Sequence, residues 1–147
     1  MRTILVAIDF TEVTDAVVAA AIAQARAFGA AVELLHVADP EPYFVGYEPG
    51  PQSVRDTVVS EIRKERITLT EIKGRFEEQG VAVTERMFQG PPAEKILKEA
   101  RRLNADLIVA GAHKAGFFSR LWKGSVGEDI LREAPCPLLF VPWGGES

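Results

Sequence analysis

Short apolar runs alternate with segments of helical period along the whole chain, and that alternation constrains the fold more than any other feature. Thr3 to Ile8 (Thr-Ile-Leu-Val-Ala-Ile) is nearly continuous in apolar character, as a central parallel strand covered on both faces requires. It stops at Asp9, and Thr11 is placed to cap the segment that follows. Val13, Val17, Ala20, Ala21 and Phe28 then recur at helical spacing, with Gly29 where a helix usually ends. Ala31 to Val37 reads as a second strand. Asp39 to Pro51 holds Pro40, Pro42, Pro49 and Pro51 among Tyr43, Phe44 and Tyr47, which rules out regular structure there. This segment is a surface loop, a contact for a second subunit, or a cover over a ligand.

Val54, Val58, Ile62, Leu69, Ile72 and Phe76 mark one face of a long helix that closes near Gly80. Val81 to Phe88 alternates in polarity, as a strand at a sheet edge does. Gly90-Pro91-Pro92 turns the chain into a third helix, with Ala93, Ile96, Leu97, Ala100 and Leu103 as its buried stripe and Asn104 as a left-handed cap. Ala105 to Ala110 is the fourth strand. Val126, Ile130 and Leu131 anchor a last helix, which Pro135-Cys136-Pro137 ends, and Leu138 to Val141 form a fifth strand. Strict alternation of this kind implies a doubly wound parallel sheet with helices on both faces. Right-handed crossovers leave few topologies, of which the flavodoxin-like order 2-1-3-4-5 and its variants are the commonest.

The stretch from Leu107 to Glu128 is the best candidate for a functional site. It leaves a buried strand at Gly111, crosses a basic and aromatic loop, and reaches Gly124-Ser125 at the start of a helix. Ser125 and Glu128 have capping-box spacing, and a helix start offers unpaired N–H groups to a phosphate. From Leu107 to Gly127 the chain has no Asp or Glu but contains Lys114, Arg120 and Lys123. In such sheets ligands bind beyond the carboxyl ends of the strands where the winding reverses. With the first strand central and the fourth beside it, Asp9 and Gly111, each following its strand, face one crevice. Asp9 can equally serve as a helix cap.

Composition excludes several other functions. A formal net charge of −4, with Lys and Arg scattered, argues against a nucleic-acid-binding face. No apolar run is long enough to span a bilayer, and the Met1-Arg2-Thr3 start leads into a strand with no cleavage site behind it. The single cysteine, Cys136, cannot form an internal disulfide, as expected in a reducing cytoplasm. Its proline neighbours favour a structural role. His36 lies within an apolar strand and reads as a satisfied core histidine; His113 lies in the loop, and the two give no metal-site spacing. Gly111 to Gly116 has the glycine spacing of a Walker loop, but Phe117-Phe118 stand where Lys-Ser/Thr is needed. There is no Gly-x-Gly-x-x-Gly fingerprint, and Phe88-Gln89-Gly90 lacks the acidic residue of a phosphoacceptor receiver. With 147 residues, one domain spanning 1–147 is expected.

Several motifs, in order, resemble the universal stress protein family. They are Ile4-Leu5-Val6-Ala7-Ile8-Asp9-Phe10-Thr11, Gly90-Pro91-Pro92-Ala93-Glu94-Lys95-Ile96, Ala105-Asp106-Leu107-Ile108-Val109-Ala110-Gly111, Gly124-Ser125-Val126 and Ala134-Pro135-Cys136-Pro137-Leu138. The resemblance implies a five-stranded sheet of order 3-2-1-4-5, flavodoxin-like or adenine nucleotide alpha hydrolase-like. The family's nucleotide-binding branch carries Gly-x-x-Gly, nine residues, then Gly-Ser or Gly-Thr; Gly111 and Gly124-Ser125 match, while Lys114 stands at the second glycine. A lysine there can offer its ammonium to a phosphate or obstruct the loop. By position, Asp9 would contact the adenosine, Ala7 and Ile8 would line the base pocket, and the Val37 backbone would meet the adenine. Ala110 and Gly111 would sit beside the ribose and phosphates, with Gly124, Ser125 and Val126 holding the phosphate chain.

The ligand so implied is ATP, or ADP or AMP, with Mg²⁺ travelling on the phosphates. No general base or nucleophile points to more than slow hydrolysis. The resemblance also implies a homodimer through Leu138 to Val141, where Pro142 limits the pairing. The competing reading, which Lys114 favours, is a nucleotide-free dimeric module acting through protein partners.

Overall fold

The computed structural model describes residues 1–38, 52–112 and 130–142. Five strands, β1 (Thr3–Ile8), β2 (Ala31–Ala38), β3 (Val83–Gln89), β4 (Leu107–Ala112) and β5 (Leu138–Pro142), form one sheet in the order β3-β2-β1-β4-β5. Every neighbouring pair is parallel. The connecting helices are α1 (Thr14–Phe28), α2 (Gln52–Glu78) and α3 (Pro92–Leu103), and residues 130–133 are helical. The order 3-2-1-4-5 implied by the family resemblance is the one observed, a variant of the commoner flavodoxin order 2-1-3-4-5 in which β3 lies outside β2.

The two sheet faces carry separate cores. On one, Val17, Val18, Ala21 and Ala25 of α1 and Leu69, Ile72 and Phe76 of α2 pack on Ile4, Val6, Ile8, Leu34 and Val109. On the other, Ile96, Leu97 and Ala100 of α3, with Ile130, pack on Leu5, Ala7, Leu35, Val37, Ile108 and Ala110. Residues alternate between faces along β1 and β4, which is why these runs had to be apolar throughout. The α3 stripe is nearly as read from the sequence; at about 1.5–3 kcal/mol per fully buried large aliphatic side chain, Ile96 and Leu97 are its main anchors. Helix α1 ends at Gly29 in the left-handed conformation (φ 63°), and α3 ends at left-handed Asn104 (φ 52°).

Several sequence-based expectations need correction. Phe28 is not on the buried face of α1: it is 54% exposed, and Val18 and Ala25 take the buried positions instead. Leu131 is likewise exposed, so Ile130 alone of that pair anchors its helix. Thr11 does not cap α1 with its side chain; its hydroxyl donates back to Asp9. The third strand begins at Val83 rather than Val81, which is buried ahead of it. The fourth strand begins at Leu107 because Asp106 is used as a clasp, its Oδ2 accepting the Arg2 and Thr3 amides at 2.8 and 3.0 Å. Those two bonds hold the Asp106 carboxyl below its ordinary range. The segment 39–51, and the side chains of Val54 and Val58, lie outside the described residues.

A charged cluster, passed over in the sequence, sits on the α3 face towards the amino ends of the strands. Glu33 of β2 and Glu99 of α3 are both buried. Arg102 makes two bonds to Glu99, at 2.9 and 2.6 Å, and reaches Glu33 at 3.4 Å; Arg86 of β3 lies 3.7 Å from Glu33 and 3.6 Å from Glu99. Burial, reinforced by the neighbouring Glu99, pushes the Glu33 carboxyl up to about 8, while the Arg102 hydrogen bond holds Glu99 well below the usual carboxylate range.

Candidate functional site at the carboxyl ends of β1 and β4

The winding of the chain reverses between β1 and β4. Helices α1 and α2 cover one face on the way out to β3, and α3 crosses to the other face on the way to β4. Pairing between β1 and β4 runs Ile4–Leu107, Leu5–Ile108 and Val6–Val109, two residues short of the end of β1. Beyond that point Ala7 and Ile8 pair only outwards, with Leu35 and His36, while Ala110, Gly111 and Ala112 pair with Phe140, Val141 and Pro142. The two central strands therefore part at their carboxyl ends, where an open α/β sheet binds ligands.

Asp9 stands at the mouth of this opening, immediately after β1. Its Oδ1 accepts the Thr11 amide at 3.2 Å and the Thr11 hydroxyl at 2.6 Å, forming a tight local turn. Its Oδ2 is buried and has no hydrogen-bond partner among the described residues. The next residue, Phe10, has φ 59°, a left-handed conformation that costs a residue with a Cβ roughly 1–2 kcal/mol. Its ring packs on the ring of His36, with centroids 4.2 Å apart and an interplanar angle of 33°. Backbone strain at this position sets the direction in which the chain leaves Asp9 for α1.

His36 is buried, and its Nδ1 lies 2.7 Å from the Ile8 carbonyl oxygen. A carbonyl can only accept, so Nδ1 carries the hydrogen. Nε2 lies 3.5 Å from Glu65 Oε2 of α2 and makes no hydrogen bond among the described residues. The reading of His36 as a satisfied core histidine therefore holds for one ring nitrogen and not for the other.

Of the residues assigned to the site from sequence, the structure gathers Ala7, Val37 and Ala110 into the core cluster under α3. Ile8 lies on the α1 side, and Asp9 is at the strand end. Gly111 does not follow its strand; it lies inside β4, in register with Val141. A Cβ at Gly111 would overlap Val13 Cγ1, and would lie 3.1 Å from Val17 Cγ2. The glycine is thus what lets α1 lie against β4. Lys114, Gly124, Ser125 and Val126, with the rest of 113–129, lie outside the described residues. Phe10 was missed because nothing in its residue type announces a positive φ.

Comparison with known proteins agrees with this architecture. A universal stress protein from Thermus aquaticus is 34% identical, the match covering 95% of this chain and 98% of that one. A solved structure from the universal stress protein family of Burkholderia pseudomallei, 29% identical, superposes with a TM-score of 0.70 over 95% of each chain. An Archaeoglobus fulgidus universal stress protein solved in complex with dAMP shares the fold at a TM-score of 0.67 and 20% identity, over 96% of this chain and 98% of that one. With the sequence model of the universal stress protein family matching residues 1–142, and its sheet wound 3-2-1-4-5 around a parted β1–β4 pair, this chain belongs to the universal stress protein family.

Proposed function

We propose that the chain binds an adenine nucleotide, ATP or its di- or monophosphate, between the carboxyl ends of β1 and β4, as a regulatory ligand in a stress response. The observation that carries this reading is the buried Oδ2 of Asp9, left without a hydrogen-bond partner among the described residues at the point where the sheet's winding reverses. An unpaired buried acceptor costs roughly 1–3 kcal/mol, more when charged. A ribose hydroxyl or the adenine amino group supplies the missing donor. The relative solved with dAMP supports the same ligand class.

In this reading Ala7, Ile8 and the Val37 backbone receive the base, and Ala110 and Gly111 flank the ribose. Lys114, Gly124, Ser125 and Val126 hold the phosphates. Among the described residues no group of three or more His, Cys, Asp or Glu side chains could hold a metal, so Mg²⁺ would arrive on the phosphates. The nucleotide acts by stabilising the conformation it fits, within a single domain, 1–147, that pairs as a cytoplasmic homodimer through the outer strand β5.

Calorimetric titration with MgATP and with AMP tests the site, followed by Trp122 fluorescence as a local signal. Micromolar binding is expected, weakened roughly tenfold to a hundredfold in Asp9→Ala, the equivalent of about 1.5–3 kcal/mol for a hydrogen bond to a charged group. Heat-silent mixing up to millimolar nucleotide refutes the reading. That result would favour a nucleotide-free dimeric module acting through protein partners. Gly111 gives this second reading its footing, because helix packing alone accounts for the glycine.

A further inference from the structure

The turn that carries Asp9 is held from beneath by a side chain the nucleotide reading does not use. His36 touches three separate elements: Nδ1 donates to the Ile8 carbonyl at the end of β1, the ring face packs on Phe10, and Nε2 faces Glu65 of α2 at 3.5 Å. With Nδ1 committed to a carbonyl, the two protonation states of the ring differ only at Nε2. Without a proton there, a lone pair and a carboxylate oxygen face each other inside the fold. With one, the ring gains a charge-assisted donor aimed at Glu65 and a stronger attraction for the Phe10 face.

We propose that His36 is a protonation-dependent positioning residue for the Asp9 end of the nucleotide site, the His36–Glu65 pair locking the strained Phe10 turn in the form that presents Asp9 to the ligand. The proposal rests on the nucleotide reading and names a regulation of that site. Geometry makes Nε2 the atom at which that lock is set or released, because Nδ1 is committed to the Ile8 carbonyl and Nε2 alone faces Glu65.

Among the described residues, the surroundings leave Glu65 as the charge that governs it. On β3 the residue in register with His36 is Met87; Glu85, two residues earlier, accepts a bond from Thr70, and Arg86 is turned to Glu33 and Glu99. On α2, Glu61 pairs with Lys64 at 3.6 Å on the exposed side. From β1 comes only the Ile8 backbone, followed by Asp9, whose Oδ1 is engaged by Thr11. Locking costs the ligand nothing when the proton is already in place. Linkage therefore requires the reciprocal effect: bound nucleotide must raise the pH at which His36 releases its proton.

The chain has two histidines, so proton NMR follows each ring directly, His113→Gln giving the assignment. The full chain is titrated from pH 5 to 8.5, free and saturated with AMP, in the wild-type and Glu65→Gln forms; Glu65 is partly exposed and its amide replacement keeps the shape. The expected result is a rise in the His36 midpoint of about half a pH unit or more on loading, matching about threefold tighter AMP binding at pH 5.5 than at pH 8. Glu65→Gln should remove most of it. Any rise caused by the AMP phosphate alone survives in Glu65→Gln, which separates the two causes. AMP binding with an unmoved His36 midpoint, or with an equal rise in both proteins, overturns the proposal while leaving the nucleotide site standing. No AMP binding at either pH refutes the nucleotide reading itself, and the positioning role with it.

Discussion

Gly111→Ala should unfold the protein more easily for a reason that has nothing to do with phosphate. The added Cβ would overlap Val13 Cγ1 and lie 3.1 Å from Val17 Cγ2 and 3.3 Å from Val13 Cγ2. Both valines are 1% exposed. Their β-branched side chains have few alternative rotamers, so α1 itself must shift. Forcing one extra carbon into a packed core costs about 1–3 kcal/mol, offset by about 0.4–1 kcal/mol because alanine restricts the unfolded chain more than glycine does. A net loss of about 1–2 kcal/mol is expected.

Val13→Ala removes the overlapping methyls and by itself costs about 2 kcal/mol in lost burial. In that background Gly111→Ala should cost under about 0.5 kcal/mol, giving a coupling of about 1 kcal/mol or more. Urea unfolding of the four proteins, followed by far-ultraviolet circular dichroism at one protein concentration, measures the cycle. An equal cost of Gly111→Ala in both backgrounds would refute the packing argument. Nucleotide titration of the double variant then asks a separate question. Native affinity would mean that the first glycine of the family signature serves the helix, and lost affinity that it also serves the ligand.

Two further outcomes follow from the charged groups. Burial pushes folded Glu33 up to about 8, while in the unfolded chain the carboxyl returns to its ordinary 4.5, so between those values the native state binds more protons and stability falls as pH rises. At about 1.4 kcal/mol per pH unit, the loss expected from pH 5 to 8.5 is up to about 4 kcal/mol, about 10 °C in Tm for a chain of this size; Glu33→Gln should flatten the profile, and parallel profiles would contradict the assignment. Burial, aided by the Asp106 charge, pushes the Cys136 thiol up, so alkylation by iodoacetamide at pH 8 should run at least about fivefold slower in the native protein than in urea. Equal rates would show that the thiol is neither buried nor depleted of thiolate.

The sheet was legible because its physics is local. A strand buried on both faces must be apolar at nearly every position, and Thr3–Ile8 and Leu107–Val109 meet that demand. Helix faces were less legible near helix ends: Phe28 fits the period, yet at the last residue of α1 it is left exposed. Gly111 read as a strand end because glycine usually breaks strands; the reason it sits inside β4 is a valine on α1, nearly a hundred residues earlier. Glu33 was hidden for the same kind of reason, since its partners Glu99, Arg102 and Arg86 come from two later elements. Asp9 was legible as the residue that ends the first strand, yet its neighbours Phe10 and His36 act through a dihedral angle and a ring contact that composition does not encode. The proposed phosphate contacts, Lys114 and Gly124 to Val126, lie outside the described residues and rest on the family resemblance.

The Asp106 clasp and the β1–β4 pairing join positions more than a hundred residues apart. At about 5–20 residues per second of synthesis, the first strand waits on the order of 5–20 s on the ribosome before its inner partner exists, paired meanwhile only on its β2 side. The opening beyond Val6 and Val109 thus exists only once β4 has been made, bounded by the oldest strand on one side and a much younger one on the other. Under the proposed nucleotide reading, a ligand there can engage only chains already synthesised past β4, and its occupancy would report that the two halves of the sheet have joined as well as ligand supply.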